Sequence, residues 1–305
     1  MSRVYEALKR AEQGRAPIES ANDAKPSDSL LAEVAHLDGA ERSAIGMVPP
    51  LGPGNESPIS HHPRLAELRR HCARPGWKLN PDYAVFCNRS LAVCAEQFRT
   101  LRSRLYRLRD KQPVRTLLVT SSVPGEGKTF VSLNLALAIA RQHERRALLI
   151  DGDLRASRLH VRMGAPSAPG LSEYLRGEAD EFSIIQADSK DELFFIPAGG
   201  TVSNPAELLA DNRLKVLIDQ MAPVFDWIIV DAPPVHAVSD AAVLAGVCDG
   251  VIVVVRAELT AYDLVQATLQ EFLGKNLLGV VLNGADQEAT YGAYSYYAGY
   301  GMDRK

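Results

Sequence analysis

The chain has 305 residues, of which 46% are hydrophobic, enough for one large α/β domain plus an extension, and its formal net charge of −3 makes no electrostatic case for nucleic acid. Its apolar runs, such as Val251 to Val255, fall far short of the ~20 residues that a spanning helix needs, and Met1 to Glu6 lacks the apolar core of a signal peptide, so the cytoplasm is the expected compartment. Cys72, Cys87, Cys94 and Cys248 show no CxxC or metal spacing and are expected to be reduced, mostly buried thiols, and the scattered histidines, including His61-His62, offer no metal site.

In chain order, Ser2 caps a short amphipathic helix over residues 1–14, with Val4, Ala7, Leu8 and Ala11 at helical spacing and Gly14 at its exit. Packing on its own domain and docking on a partner are both open for it. Residues 15–79 are expected to be a flexible linker. As far as Pro63 they are rich in Pro, Gly, Ser, Ala and Asp, with Leu30, Leu31, Val34 and Leu37 marking one brief helix, and too little apolar surface is available to offset the entropy of ordering them. Order resumes near Asn80-Pro81 and opens a domain over residues 80–285. A helix carries Leu91, Cys94, Phe98, Leu101, Leu105 and Leu108 as one stripe, and Glu96, Arg99 and Arg102 lie off it, which by spacing alone is a solvated face.

Thr116 to Arg155 organises the rest. Leu117, Leu118 and Val119 form a strand that ends in Ser121, Ser122, Pro124 and Gly125, and the turn leads into Lys128-Thr129 and a helix carrying Val131, Leu135 and Leu137. Backbone N–H groups at a helix N-terminus bind polyphosphate where side chains are missing, which Gly125 and Gly127 provide; Lys128 adds charge and Thr129 a hydroxyl for magnesium. Ser122 stands where the usual pattern has glycine. Two further apolar runs, Leu148 to Ile150 and Ile228 to Val230, end in Asp151-Gly152-Asp153-Leu154-Arg155 and Asp231-Ala232-Pro233-Pro234. Three strands thus deliver a phosphate loop or carboxylates at the edge of a parallel sheet where ligands bind.

Further elements are a helix in Gly170 to Gly177, a strand at Leu193 to Ile196, and one helix starting at Asn204-Pro205 and carrying Leu208, Leu209, Val216 and Leu217. Strands at Asp226 to Val230, Gly250 to Val255 and Leu278 to Leu282 are near-continuously apolar and expected to be buried on both faces, and a helix at Ala261 to Leu273 crosses between the last two. The fold class is α/β: a doubly wound, mostly parallel sheet of the P-loop NTPase type. Residues 286–305 form a tail with Tyr291, Tyr294, Tyr296, Tyr297 and Tyr300 among Gly, Ala and Ser, without the aliphatic neighbours that a packed tyrosine normally has.

SSVPGEGKT, LLIDGDLR and IIVDAPP resemble the Walker A, A′ and B motifs of the bacterial tyrosine kinases of capsule and exopolysaccharide loci. The likeness runs from about Leu91 to the C-terminus through GLSEYLRG, PAGGTVSNPAELLADNRL and DGVIVVVRAELT followed by LLGVVLN. The opening MSRVYEALKRAE is similar to that of the stand-alone autokinases of exosortase-associated polysaccharide loci, and Ser122 is a departure the family shares.

The resemblance implies an ATP-dependent protein-tyrosine autokinase using Mg²⁺. Pro124, Gly125, Glu126, Gly127, Lys128, Thr129 and Phe130 would hold the nucleotide and Asn283 would touch adenine. Thr129, Asp153 and Asp231 would hold the metal, Asp151 would be the base, and Lys128 would stabilise charge. Arg155 would either stabilise transferred charge or form an ordinary ion pair. The resemblance also makes the five tail tyrosines the acceptors and turns Glu96, Arg99 and Arg102 into the contact of a ring-like homo-oligomer. It further implies a membrane co-polymerase-type activator that recruits the chain to the inner face of the membrane, and a cognate tyrosine phosphatase. Two alternatives stay open. One is a regulatory ATPase of the septum-site or plasmid-partition type, which carries a second loop lysine where this chain has Val123; the other is a non-catalytic nucleotide-binding adaptor.

Overall fold

The computed structural model describes residues 62–190 and 192–285. The chain divides into two units, Met1–Asn55 and Glu56–Lys305, and all described residues belong to the second. The expected N-terminal helix and the tyrosine tail lie outside the described residues.

The first described element corrects the linker expectation. Pro63–His71 forms a helix, α1, within the 15–79 stretch, and it buries Leu65 and Leu68 in the core. Its proline stands at the start, where the missing N–H costs nothing, and the His62 ring accepts from the Arg64 amide. Proline-rich composition is compatible with a helix start as well as a loop, so composition alone placed the boundary too late. Two 3₁₀ turns, Val85–Cys87 and Arg89–Leu91, lead into α2, Ala92–Arg109, on the expected stripe.

The sheet is built from β1 (Thr116–Ser121), β2 (Ala147–Asp151), β3 (Gln186–Ala187), β4 (Leu193–Ile196), β5 (Trp227–Asp231), β6 (Gly250–Arg256) and β7 (Leu277–Asn283). Their order is β3-β4-β2-β5-β1-β6-β7, parallel throughout except for β3, a two-residue antiparallel edge strand. Helices α3 (Lys128–Ala140), α4 (Leu159–Met163), α5 (Leu171–Arg176), α6 (Pro205–Leu209), α7 (Asn212–Met221), α8 (Asp240–Ala245) and α9 (Tyr262–Glu271) connect the strands. The single helix expected after Asn204 is two, because Asp211 accepts from the Arg213 amide and caps a second start.

Period-two alternation sorts the apolar strand residues into two cores. Leu118, Ile150, Val230 and Val253 face one side, packed with α1, α5 and α7. Leu117, Leu149, Ile229 and Val254 face the other, packed with α2 and α3. Both faces are therefore covered, which is why β1, β2 and β5 are apolar without interruption. β7 corrects the expectation for the last strand: it is half-buried and pairs with β6, with Leu282 40% exposed, because an edge strand has one neighbour however apolar its sequence is. The cysteine expectation also needs correction, since Cys72 is buried but Cys87 is exposed.

Helix α3 is buried from Val131 to Ala140, including Asn134. The Asn134 amide donates to the Tyr83 carbonyl at 2.7 Å and its oxygen accepts from the Val85 amide at 2.9 Å, which fixes the segment before α2 on α3. An asparagine within an apolar helix is here the partner of two backbone groups that packing removes from water. Asn134→Ala leaves both unpaired and is expected to cost about 2–3 kcal/mol, lowering the melting temperature by ~5 °C or more. Calorimetry showing an unchanged melting temperature would contradict this role.

Candidate functional site

The register decides which side chains meet. Parallel pairing of β2 with β5 sets Asp151 opposite Asp231, and β5 also pairs with β1, whose end opens the phosphate loop. In that loop Gly125 and Gly127 adopt φ of +89° and +98°, a left-handed conformation that a side chain would strain. A Cβ at position 127 would also come within 2.0 Å of the Asn283 amide nitrogen. Lys128 and Thr129 follow at the N-terminus of α3.

Around this turn lies a cluster of carboxylates and hydroxyls. Lys128 Nζ donates to Asp153 Oδ2 at 3.0 Å. Thr129 Oγ1 donates to Asp231 Oδ2 at 2.7 Å and Ser132 Oγ to Asp231 Oδ1 at 3.0 Å. Ser157 Oγ donates to Asp151 Oδ2 at 2.7 Å, and the Asp153 amide donates to Asp151 Oδ1 at 3.2 Å. All three aspartates are buried. Burial, with Asp231 and Asp153 nearby, lifts the Asp151 carboxyl to about 7, against the opposing pull of Ser157 and Lys128. Burial also raises Asp231, opposed by Lys128, Thr129 and Ser132. For Lys128, burial acts to lower its proton affinity, but Asp231 and Asp153 outweigh it and the net direction is up.

A cleft of about 540 Å³ opens beside the loop, lined by Pro124, Gly125, Gly127, Lys128, Thr129, Phe130, Asp153, Arg155 and the Pro233-Pro234 turn, among others. The residues fit a magnesium-nucleotide pair. Mg²⁺ is commonly held by one or two carboxylates together with phosphate oxygens, and Asp153 and Asp231, with the Thr129 hydroxyl, are such a sparse set. The glycine turn leaves its backbone open toward the cleft, and Lys128 supplies charge for phosphate.

Other expected residues have different partners. Arg155 forms two hydrogen bonds with the buried carboxylate of Asp240, at 2.8 and 3.0 Å, so of its two open roles the structure shows the ion pair. Glu126 is buried. Its side chain accepts from the Val123 amide at 2.7 Å and from Thr260, tying the loop to the segment after β6. The Asn283 amide donates to the Glu126 carbonyl at 2.8 Å and braces the same turn. Ser122, the departure from glycine, accepts from Thr268 Oγ1 of α9 at 2.8 Å. Glu96 and Arg99 pair with each other in exposed positions on α2, whereas Arg102 donates to the Ala138 carbonyl at 2.5 Å and fastens α2 to α3. Ser132, Ser157 and Asp240 were not singled out from sequence. Ser132 alone had a usable signal, one turn after Lys128 on the same helix.

The folded chain holds a proton on Asp151 more tightly than the unfolded chain, at about 7 against 3.8. The contribution of Asp151 to stability therefore falls as pH rises from about 4 to about 7. Asp151→Asn removes this dependence, so its stabilising effect on the metal-free protein should be small near the lower pH, grow through that window and level off above it. Urea denaturation in a chelator at both ends of the window tests this; an equal effect at both would contradict the buried, proton-holding carboxyl.

A family model described as an AAA domain matches residues 114–274. Tyrosine-protein kinase YwqD of Bacillus subtilis is 32% identical over 206 residues, which are 67% of this chain and 86% of that protein. Tyrosine-protein kinase etk of Escherichia coli K12 is 37% identical over 203 residues, 66% of this chain and 28% of that longer protein. Among solved structures, the kinase domain of Escherichia coli tyrosine kinase ETK superposes with a TM-score of 0.59 at 36% identity, covering 62% of this chain and 75% of that one. With the phosphate loop and the two aspartate-bearing strand ends in place, the chain belongs to the bacterial tyrosine kinase family.

Proposed function

We propose that the protein is an ATP-dependent tyrosine autokinase that phosphorylates its own C-terminal cluster, Tyr291, Tyr294, Tyr296, Tyr297 and Tyr300, and thereby regulates exopolysaccharide or capsule synthesis and export. The observation that carries the chemistry is Asp151, a buried carboxyl with raised proton affinity set beside the lysine-threonine loop. A phenol is a poor nucleophile while protonated. Asp151 takes the phenolic proton as the phenolic oxygen bonds to the terminal phosphorus, and the bond from that phosphorus to the ADP oxygen breaks. Lys128 and the loop amides hold the phosphate oxygens through a transition state that requires positioning and charge stabilisation. Mg²⁺ held by Thr129, Asp153 and Asp231 would supply charge neutralisation when bound. Ser157 keeps Asp151 oriented until the acceptor arrives.

The wider reading rests on the resemblance and the tail. No described helix is long and apolar enough to cross a membrane, which agrees with recruitment to the inner face of the membrane by a separate activator subunit. A ring-like homo-oligomer would present each tail to a neighbour's site, with Glu96 and Arg99 exposed for that contact, and a cognate phosphatase would reset the tail. Added phosphates, each about −1.5 to −2 in charge, would be repelled by the carboxylate cluster and release the tail.

Incubation with ATP and Mg²⁺ followed by mass spectrometry tests the kinase reading. Wild type should carry phosphotyrosine on the tail, Lys128→Met none, and Asp151→Asn none while still binding nucleotide. Lys128 is largely buried against Asp153, so circular dichroism of the Met variant has to accompany the assay. Wild-type phosphotyrosine in a folded Lys128→Met variant would overturn the assignment. Sedimentation tests the ring: Arg99→Ala should shrink the unphosphorylated particle without touching the Arg102 bond, and an unchanged particle would remove the ring.

A further inference from the structure

Besides the phosphate loop and Asp153, the cleft is lined by Tyr83, Phe130, Leu133, Arg158 and Arg162. The two arginines stand one helical turn apart, Arg158 at the cap of α4 and Arg162 within it. Arg162 lies over the Tyr83 ring with its guanidinium carbon 3.5 Å from the ring centre. Among the described residues neither arginine forms an ion pair, in contrast to Arg155, which Asp240 neutralises. Tyr83 is itself fixed, since Asn134 holds its carbonyl, and Phe130 packs edge-on against Phe98. This part of the lining is aromatic on one side and positively charged on another.

The phosphates of a magnesium-nucleotide pair are already provided for by the loop, Lys128 and the metal oxygens, which leaves the charge of the two arginines for another group. This lining suits a phenol ring approaching the terminal phosphate in a chain that carries negative charge. The segment 286–300 has this composition: five tyrosines, Asp286 and Glu288, and no lysine or arginine. Resting on the kinase reading above, we propose that Arg158 and Arg162, with the Tyr83 and Phe130 rings, form the acceptor-binding surface of this chain and select acidic, tyrosine-bearing peptide. The rings receive the acceptor phenol and the arginines receive the carboxylates that precede it. The arginines act on substrate binding, and the proton and phosphoryl transfer stay with Asp151, Lys128 and the loop.

The test is fluorescence anisotropy of a labelled peptide of residues 284–300 on the full chain whose five tail tyrosines are replaced by Phe. A second peptide has Asp286 and Glu288 replaced by Gln. In the Arg158→Ala, Arg162→Ala double variant the acidic peptide should bind about tenfold more weakly, while the Gln peptide binds wild type and variant alike. Arg158→Glu, at an exposed position that opens no cavity, should weaken the acidic peptide at least as much. Binding of the acidic peptide that is unchanged in both variants, or no peptide binding to wild type, would overturn the proposal. So would a loss that falls equally on the two peptides, or one matched by an equal rise in the KM for ATP, which would place the arginines on the nucleotide. Because binding is read without turnover, absence of phosphotyrosine in the kinase assay would count against the kinase reading alone.

Discussion

The pairing of β2 with β5 in parallel register is the constraint on which the rest of the site depends. It places Asp151 beside Asp231 at two adjacent, fully buried strand ends, and the turn after β2 adds Asp153. Like charges so close in a low-dielectric interior cannot all ionise without compensation. The chain answers with one ammonium, Lys128, and with the hydroxyls of Thr129, Ser132 and Ser157. The remaining imbalance has two consequences. The affinity of Asp151 for a proton is raised toward neutral pH, which would make its ionised form a stronger base than an ordinary carboxylate, and a divalent cation with phosphate would complete the cluster electrostatically.

The phosphate loop is held by parts of the chain outside its motif. Glu126 ties it to the segment after β6, Asn283 supports the Glu126 carbonyl from the end of β7, and Ser122 joins it to Thr268 of α9. The serine that replaces the usual glycine thus gives the loop a hydrogen bond to a neighbouring helix. Two residues expected to serve the nucleotide, Glu126 of the loop and Asn283 at the end of β7, here serve the loop's shape.

Strands β1, β2, β5 and β6 were legible because burial on both faces leaves an uninterrupted apolar run that ends abruptly at turn or acidic residues. The strand-end aspartates Asp151 and Asp231 were legible for the same reason, each marking the end of such a run. What was not legible depends on tertiary partners. Nothing local distinguishes β7 as an edge strand, since exposure is set by what lies beside it. The Asp240 partner of Arg155 is 85 residues away in sequence, so spacing left both of its roles open. Helix α1 was hidden by a proline that serves a helix start as readily as a loop. Nothing local marks Arg158 and Arg162, because a four-residue spacing from the cap of a short helix into it matches any solvated face; only the place of that helix in the cleft lining gives the pair meaning.

A buried, under-compensated carboxylate cluster of this kind would be completed by magnesium and nucleotide together. The most direct measurement is the thermal stability of the protein with ADP in a chelator and with ADP plus Mg²⁺. The account predicts a large rise in melting temperature only when both are present, greatly reduced in Thr129→Ala. An equal rise with ADP in the chelator, or a full rise in Thr129→Ala, would contradict it.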